Sequence, residues 1–280
     1  MLRSKPNEAK IYSKILIYLV LIVGVVISIF PFYMMFVSAT HSSGEILKFP
    51  PQLNIGKKLI KNYLTIQSDI NFWRVLMNSL LISTLYTILT VFLCSITGFA
   101  FAKYDFKGKN IFFSILLATM MIPNQALLIP LFNMMSKLGW IDTYQAIILP
   151  TLANVFGIFL MRQNMISFPN ALIDAARIDG LGEFGIFFKV VLPNMKPSLG
   201  ALAIYMFMSQ WNNFMWPLIA LRSNDMFTFP VALAQLNGFS RIDYGEIMFG
   251  ASASAIPIII VFLIFQRQFI SGILGGAVKE

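Results

Sequence analysis

Cysteine, histidine and charge are all scarce in this 280-residue chain, which has one cysteine, one histidine and twelve acidic residues. Cys94 lies inside an apolar run, so an intramolecular disulfide and a cysteine-based zinc site are both excluded. A single histidine, His41, excludes a histidine cluster for metal binding or proton relay, and an exposed loop is the plainest place for it. Charged residues make up 12% of the chain, against about 25% in an ordinary soluble domain. No GxxxxGKS or GxxxxGKT phosphate loop occurs, so the chain has no recognisable nucleotide site of its own.

What is present is apolar length. Hydrophobic residues are 58% of the chain and the mean hydropathy is +0.75, which reads as an all-α polytopic membrane protein. Six transmembrane helices are expected, at about 15–37, 75–102, 111–135, 143–161, 197–221 and 247–266, all within one domain, 1–280. The first run follows Arg3, Lys5, Lys10 and Lys14 like a signal peptide, but it exceeds a signal core and matches a span. Residues 40–74 and 222–245 read as outside loops, the first with one short helix, and the glycine-containing tail after Arg267 as partly ordered. Pro123 and Pro130 fall inside the third span, where they signal either a broken helix lining a pathway or a plain packing kink.

The net charge of +9 is scattered between apolar runs and forms no stripe, which favours anionic lipid headgroups over nucleic acid. Thirteen lysines and arginines lie on the side of the N-terminus and eight on the other, which places both termini in the cytoplasm. None of the six spans contains Asp, Glu, Lys, Arg or His. An ion-coupled carrier usually keeps such a group at depth, so energy is expected from outside the membrane.

The segment 170–197 interrupts this pattern. Pro169 and Asn170 start a helix, Asp174 adds negative charge in its first turn, and Gly180 stops it after about ten residues. Such a helix is roughly 15 Å long, half a bilayer core, so it must lie on the membrane surface or against a partner. Leu172, Ala175, Ala176 and Asp179 share one expected face.

Asp174-Ala175-Ala176, Asp179-Gly180, Phe187 and Leu192-Pro193 resemble the cytoplasmic coupling loop of binding-protein-dependent ABC importers, whose pattern is roughly EAA, DG, F and LP. Asp174 stands where the family usually has Glu, and Leu181-Gly182 where Ala-Ser is common. The resemblance implies a type I ABC importer fold with a coupling helix between spans 4 and 5. It gives Ala171, Asp174, Ala175, Ala176, Asp179, Gly180, Phe187, Leu192 and Pro193 a role in coupling to an ATPase. It also implies two ATPase subunits that carry ATP and Mg with no cofactor in this chain, a second and different permease, and a solute-binding protein outside a bacterial cell membrane. The small residues Gly250, Ser252, Ser254 and Ala255 suit either that second permease or packing within the chain.

Trp211-Asn212 with Phe214 and Pro217-Leu218 is similar to the WNxFxxPL stretch of the carbohydrate, maltose-type branch. That resemblance implies import of a sugar, a di- or oligosaccharide, with a polyol or glycerol phosphate as the alternative solute. Ser209, Asn213 and Trp216 fall on one expected helical stripe with Gln210 beside it, and supply the amides, hydroxyl and aromatic face that a sugar requires. Asn154, Gln210, Asn212 and Asn213 could equally be interhelical glue. A channel or ion-coupled carrier, and a membrane scaffold that recruits an ATPase without moving a solute, are the competing classes. An intramembrane enzyme lacks any nucleophile with a base.

Overall fold

In the computed structural model, residues 8–238 and 242–274 are described. The helices run α1 Glu8–Ser38, α2 Ser43–Ile46, α3 Leu59–Ile70, α4 Phe72–Lys103, α5 Lys109–Ala118, α6 Leu128–Lys137, α7 Tyr144–Ile148 and α8 Val155–Ile166. They continue α9 Asn170–Ile178, α10 Glu183–Ile186, α11 Leu192–Asn194, α12 Lys196–Trp211, α13 Met215–Ala220, α14 Phe229–Leu236 and α15 Tyr244–Leu274. No strand occurs among the described residues. The basic start at Arg3 and Lys5, and the tail beyond Leu274, lie outside them.

Three helices, α1, α4 and α15, are single elements long and apolar enough to cross a membrane, and two bent pairs bring the number to as many as five. Residues Lys109–Met121 and Asn124–Lys137 meet at 94°, and Tyr144–Thr151 and Val155–Ile166 at 43°. The first bend sits at Pro123, because a proline forces its predecessor out of the helical region and Ile122 is accordingly extended. Pro130 produces no break, since it occupies the first turn of α6, where no N–H is needed. The second bend ends at Asn154, which is extended and accepts the Gly157 N–H on its Oδ1 at 3.0 Å. That asparagine is therefore a helix cap. The expected fourth span, 143–161, continues to Ile166.

The fifth expected span is interrupted. Helix α12 has 16 residues, about 24 Å at 1.5 Å per residue, and stops at Trp211 before α13 begins at Met215. Among the described residues the candidate crossings therefore number three, or five with the bent pairs, and not the expected six.

The chain forms two compact units, and each has its own core. One comprises Ile70–Gln235 and Ile256–Glu280 and centres on α4 packed along α8 and α12. A Cβ on Gly98 would lie 2.7 Å from Met161 Cβ, and one on Gly157 would lie 2.7 Å from the buried Cys94 Sγ. These glycines let α4 and α8 approach to backbone contact, which is how helices associate where no hydrophobic drive separates them from lipid. At the other end of α4, Asn78 Nδ2 donates to Asp225 O at 2.7 Å and Phe227 O at 3.1 Å, while its Oδ1 accepts from the Tyr144 hydroxyl at 2.8 Å. The expected loop 222–245 contains the buried helix α14, whose Phe229 N–H donates to Ser79 Oγ at 2.6 Å.

The other unit comprises Met1–Asp69 and Leu236–Ala255. His41 is buried there, at 6% exposure, which corrects the expected exposed loop position. Its Nδ1 lies 3.0 Å from Val37 O, and its own carbonyl accepts from Asn62 Nδ2 at 2.9 Å. The loop after α1 holds two helices, α2 and the 12-residue α3, where one was expected. Asp243 caps α15: its Oδ1 accepts the Gly245 N–H at 2.9 Å and the Ser43 hydroxyl at 2.7 Å.

Candidate functional site

The site is the segment that links α8 to α12. Helix α8 ends at Ile166, the chain turns through the buried Phe168 and the exposed Pro169, and α9 starts at Asn170. Pro169 suits this N-cap because its own φ of −64° is fixed by the ring. The C-terminal stop explains the Asp-Gly pair. Gly180 adopts a φ of +83°, its N–H donates to Arg177 O at 3.0 Å, and the Leu181 N–H donates back to Ala176 O at 3.0 Å. This paired closure satisfies two terminal carbonyls and needs a residue free to adopt the left-handed region. Gly180 supplies it.

Burial divides α9 differently from the expected face. Ile173 and Ala176 point inward, at 3% and 5% exposure. Ala171, Leu172, Asp174, Ala175, Ile178 and Asp179 are exposed, and Ile178 reaches 87%. Ala176 therefore anchors the helix to its own chain. The outward apolar face is made by Leu172, Ala175 and Ile178, and a helix pattern weighted toward the small alanines does not single out the isoleucine.

Asp174 is in the second turn, because α9 begins at Asn170, so the helix dipole is not what it serves. Its Oδ1 accepts from Arg177 Nη1 at 3.1 Å, and Arg177 Nε donates to Glu183 Oε1 at 2.9 Å. Arg177 thus bridges the helix to the loop beyond it. Hydrogen bonds from Arg177 and from the Tyr104 hydroxyl hold the Glu183 carboxyl below its usual range. The charge network keeps α9 and α10 in one fixed turn.

Past Gly182 the chain forms α10, a π turn over Phe187–Val191 and the short α11. Phe187 is fully buried, with its ring 5.5 Å from Phe99 of α4 and 5.0 Å from Phe188. It is a packing anchor. Leu192 is half-buried and Pro193 exposed in the first turn of α11, where a missing N–H leaves nothing unsatisfied.

The polar group of residues in the fifth expected span is divided by the break. Ser209 and Gln210 are on α12, Asn213 lies in the break and Trp216 is on α13, so they do not form one continuous stripe. Ser209 is exposed and Asn213 half-buried. Gln210 is buried, and its Nε2 has no hydrogen-bond partner among the described residues. Trp216 is buried, and its Nε1 donates to Ala146 O at 2.8 Å, tying α13 to α7. Asn212 donates to Met208 O at 2.9 Å and so closes the end of α12.

Comparison with known proteins agrees with this architecture. The chain is 41% identical over 256 residues to an arabinooligosaccharides transport system permease protein, AraQ, of Halalkalibacterium halodurans, covering 90% of this chain and 92% of that one. It is 36% identical to a lactose transport system permease protein, LacG, of Rhizobium radiobacter, over 92% of this chain and 94% of that one. A crystal structure of a bacterial ABC transporter involved in the import of the acidic polysaccharide alginate shares the fold, with a TM-score of 0.77, 24% identity, and coverage of 96% of this chain and 100% of that one. Residues 91–274, which include the whole segment 170–197, match the family described as the inner membrane component of binding-protein-dependent transport systems, and the chain belongs to that family.

Proposed function

We propose that this chain is the membrane-spanning permease subunit of an ATP-driven importer of di- or oligosaccharides. The observation that carries the coupling half of this reading is α9 itself. It is too short to span, it starts at Pro169 and is closed at its C-terminal end by the turn at Gly180, and among the described residues it leaves Ala175 and Ile178 exposed and Leu172 about half exposed. A groove on an ATPase subunit is the occupant that the family relationship supplies. Closure of two ATPase subunits on ATP would move α9, and α8 and α12 with it, between inward- and outward-open states, which is alternating access by rigid-body shift.

The sugar half rests on similarity to permeases named for arabinooligosaccharides and lactose, together with uncharged polar and aromatic groups around the break after α12. Ser209, Gln210 and Asn213 offer hydroxyl and amide partners, and Trp216 offers a ring held in place by Ala146. A phosphorylated solute would want cations at depth, and the expected spans carry none. A second permease would complete the pathway, and a solute-binding protein would deliver the sugar from outside.

Uptake of labelled arabinooligosaccharides and lactose into cells that carry or lack this chain tests the reading. Loss of sugar uptake on deletion, restored by the wild-type chain and not by Asn213→Ala at equal expression and ATPase assembly, is the expected result. Uptake that persists without the chain or without ATP contradicts it. Orientation is tested separately with an impermeant thiol reagent, against the nearly silent background of the buried Cys94. Cysteines at the exposed Asn54 and Asn237 should react from outside and one at Asn194 should not, and the reverse pattern inverts the topology.

A further inference from the structure

Two adjacent residues at the end of α4 grip the two ends of α9. Lys103 Nζ donates to Ile166 O at 3.2 Å, Phe168 O at 2.5 Å and Asn170 Oδ1 at 2.9 Å, so one ammonium spends its three protons on the end of α8 and the start of α9. The next residue, Tyr104, donates its hydroxyl to Glu183 Oε2. Arg177 binds both oxygens of that carboxylate, at 2.9 and 3.2 Å, and carries the connection back along α9 to Asp174.

Tyr104 and Glu183 keep their donor and acceptor roles across the physiological range. Burial, followed by the neighbouring Glu183 carboxylate, pushes the Tyr104 hydroxyl up to about 12, so it remains protonated. Glu183 is held below its usual range, so it remains an acceptor. Tyr104 is further fixed by an edge contact with Phe99, 5.4 Å between rings, and Phe99 in turn contacts Phe187 of the π turn. The same short stretch of α4 therefore touches the coupling segment before, along and after α9.

We propose that Lys103 and Tyr104 are positioning residues for coupling, and that they make α4 move as one body with α9, so that nucleotide-driven displacement of α9 reaches α4 directly and not only through the covalently attached α8 and α12. This rests on the reading of α9 as the ATPase contact. Hydrogen bonds to a charged group are the stronger class, and severing them leaves backbone carbonyls of a helix end unsatisfied. A surface helix that merely needed a stop would not require a residue at each end from a third, distant helix.

The test uses the whole transporter, purified through a tag on this chain with the subunits that accompany it, and ATP with vanadate as the probe. Spin labels on Phe101→Cys, in the last turn of α4, and Ala171→Cys report the separation of the end of α4 from α9. With the clamp intact, one distance is expected, unchanged between the nucleotide-free and vanadate-trapped states. In Lys103→Met with Tyr104→Phe, that single distance should be lost on trapping while ATPase subunits still co-purify, and Lys103→Arg should restore it. Tyr104→Phe alone removes only a hydroxyl and serves if the double variant does not assemble. A distance that already changes with the clamp intact, or that stays fixed in the double variant or in Tyr104→Phe alone when the double variant does not assemble, overturns the proposal. Cross-linking from Ala171→Cys to an ATPase subunit is scored in parallel. Its absence counts against the docking reading, whereas its presence together with a fixed distance in those variants counts against the clamp alone.

Discussion

Helices α1 and α4 are both about 30 residues long and both apolar enough to cross a bilayer, yet the apolar window of α1 has none of its residues buried within the chain and that of α4 has a third. Composition explains the contrast. From Ile15 to Ile29 α1 is nearly all branched or aromatic, and a Cβ on Gly24 would meet no other part of the chain within 4 Å. Along its buried side α4 places Asn78, Ser79, Ser83, Thr90, Ser95 and Gly98, small or polar residues that permit close approach, and Asn78 and Ser79 hydrogen-bond to other elements. Apolar length marks a helix for the membrane, and small residues decide which helices also form the core. The coupling segment is attached to α4.

The largest effect that would break this comparison is steric. Gly98→Leu should collide with Met161 and the Arg162 backbone and destabilise the α4–α8 contact by about 1–3 kcal/mol, whereas Gly24→Leu should stay within about 0.5 kcal/mol. Thermal aggregation midpoints in one detergent compare the two, and equal midpoints would remove the distinction. Gly180→Val is next. A branched residue at a φ of +83° should cost about 1–2 kcal/mol, read as weaker retention of the ATPase, while Gly180→Asn should retain more because asparagine tolerates this region. The smallest effect is on pH. The Glu183 carboxyl is depressed below its ordinary 4.5, so its contribution is complete above that value and fades as pH falls through the lower folded value. Hydrogen exchange at 177–183 should therefore loosen only in acid, and a Glu183→Gln chain should lose that dependence.

The coupling segment was the most legible part of the sequence because its chemistry is local. A proline start and a glycine stop fix a helix within a dozen residues, and Gly180 does what its position implies. Pro123 breaks its span for an equally local reason. The break after Trp211 was hidden, since an apolar run with a few amides reads as continuous and the closing bond of Asn212 to Met208 leaves no periodic trace. His41 was misplaced because its burial depends on Asn62, 21 positions away. Lys103 and Tyr104 belong to no motif in the sequence, because the partners of Lys103 include backbone carbonyls, which every sequence has and none advertises.

On the proposed reading, the outward face of α9 is the contact through which ATP acts. Single cysteines at Ile178 and Ile173, in the purified transporter, test it most directly with a short bifunctional maleimide. The account predicts that Ile178→Cys, at the exposed position, cross-links to an ATPase subunit with a yield that changes on vanadate trapping, and that Ile173→Cys, at the buried position, does not. Equal yields from both positions, or none from Ile178→Cys while the ATPase co-purifies, would contradict it.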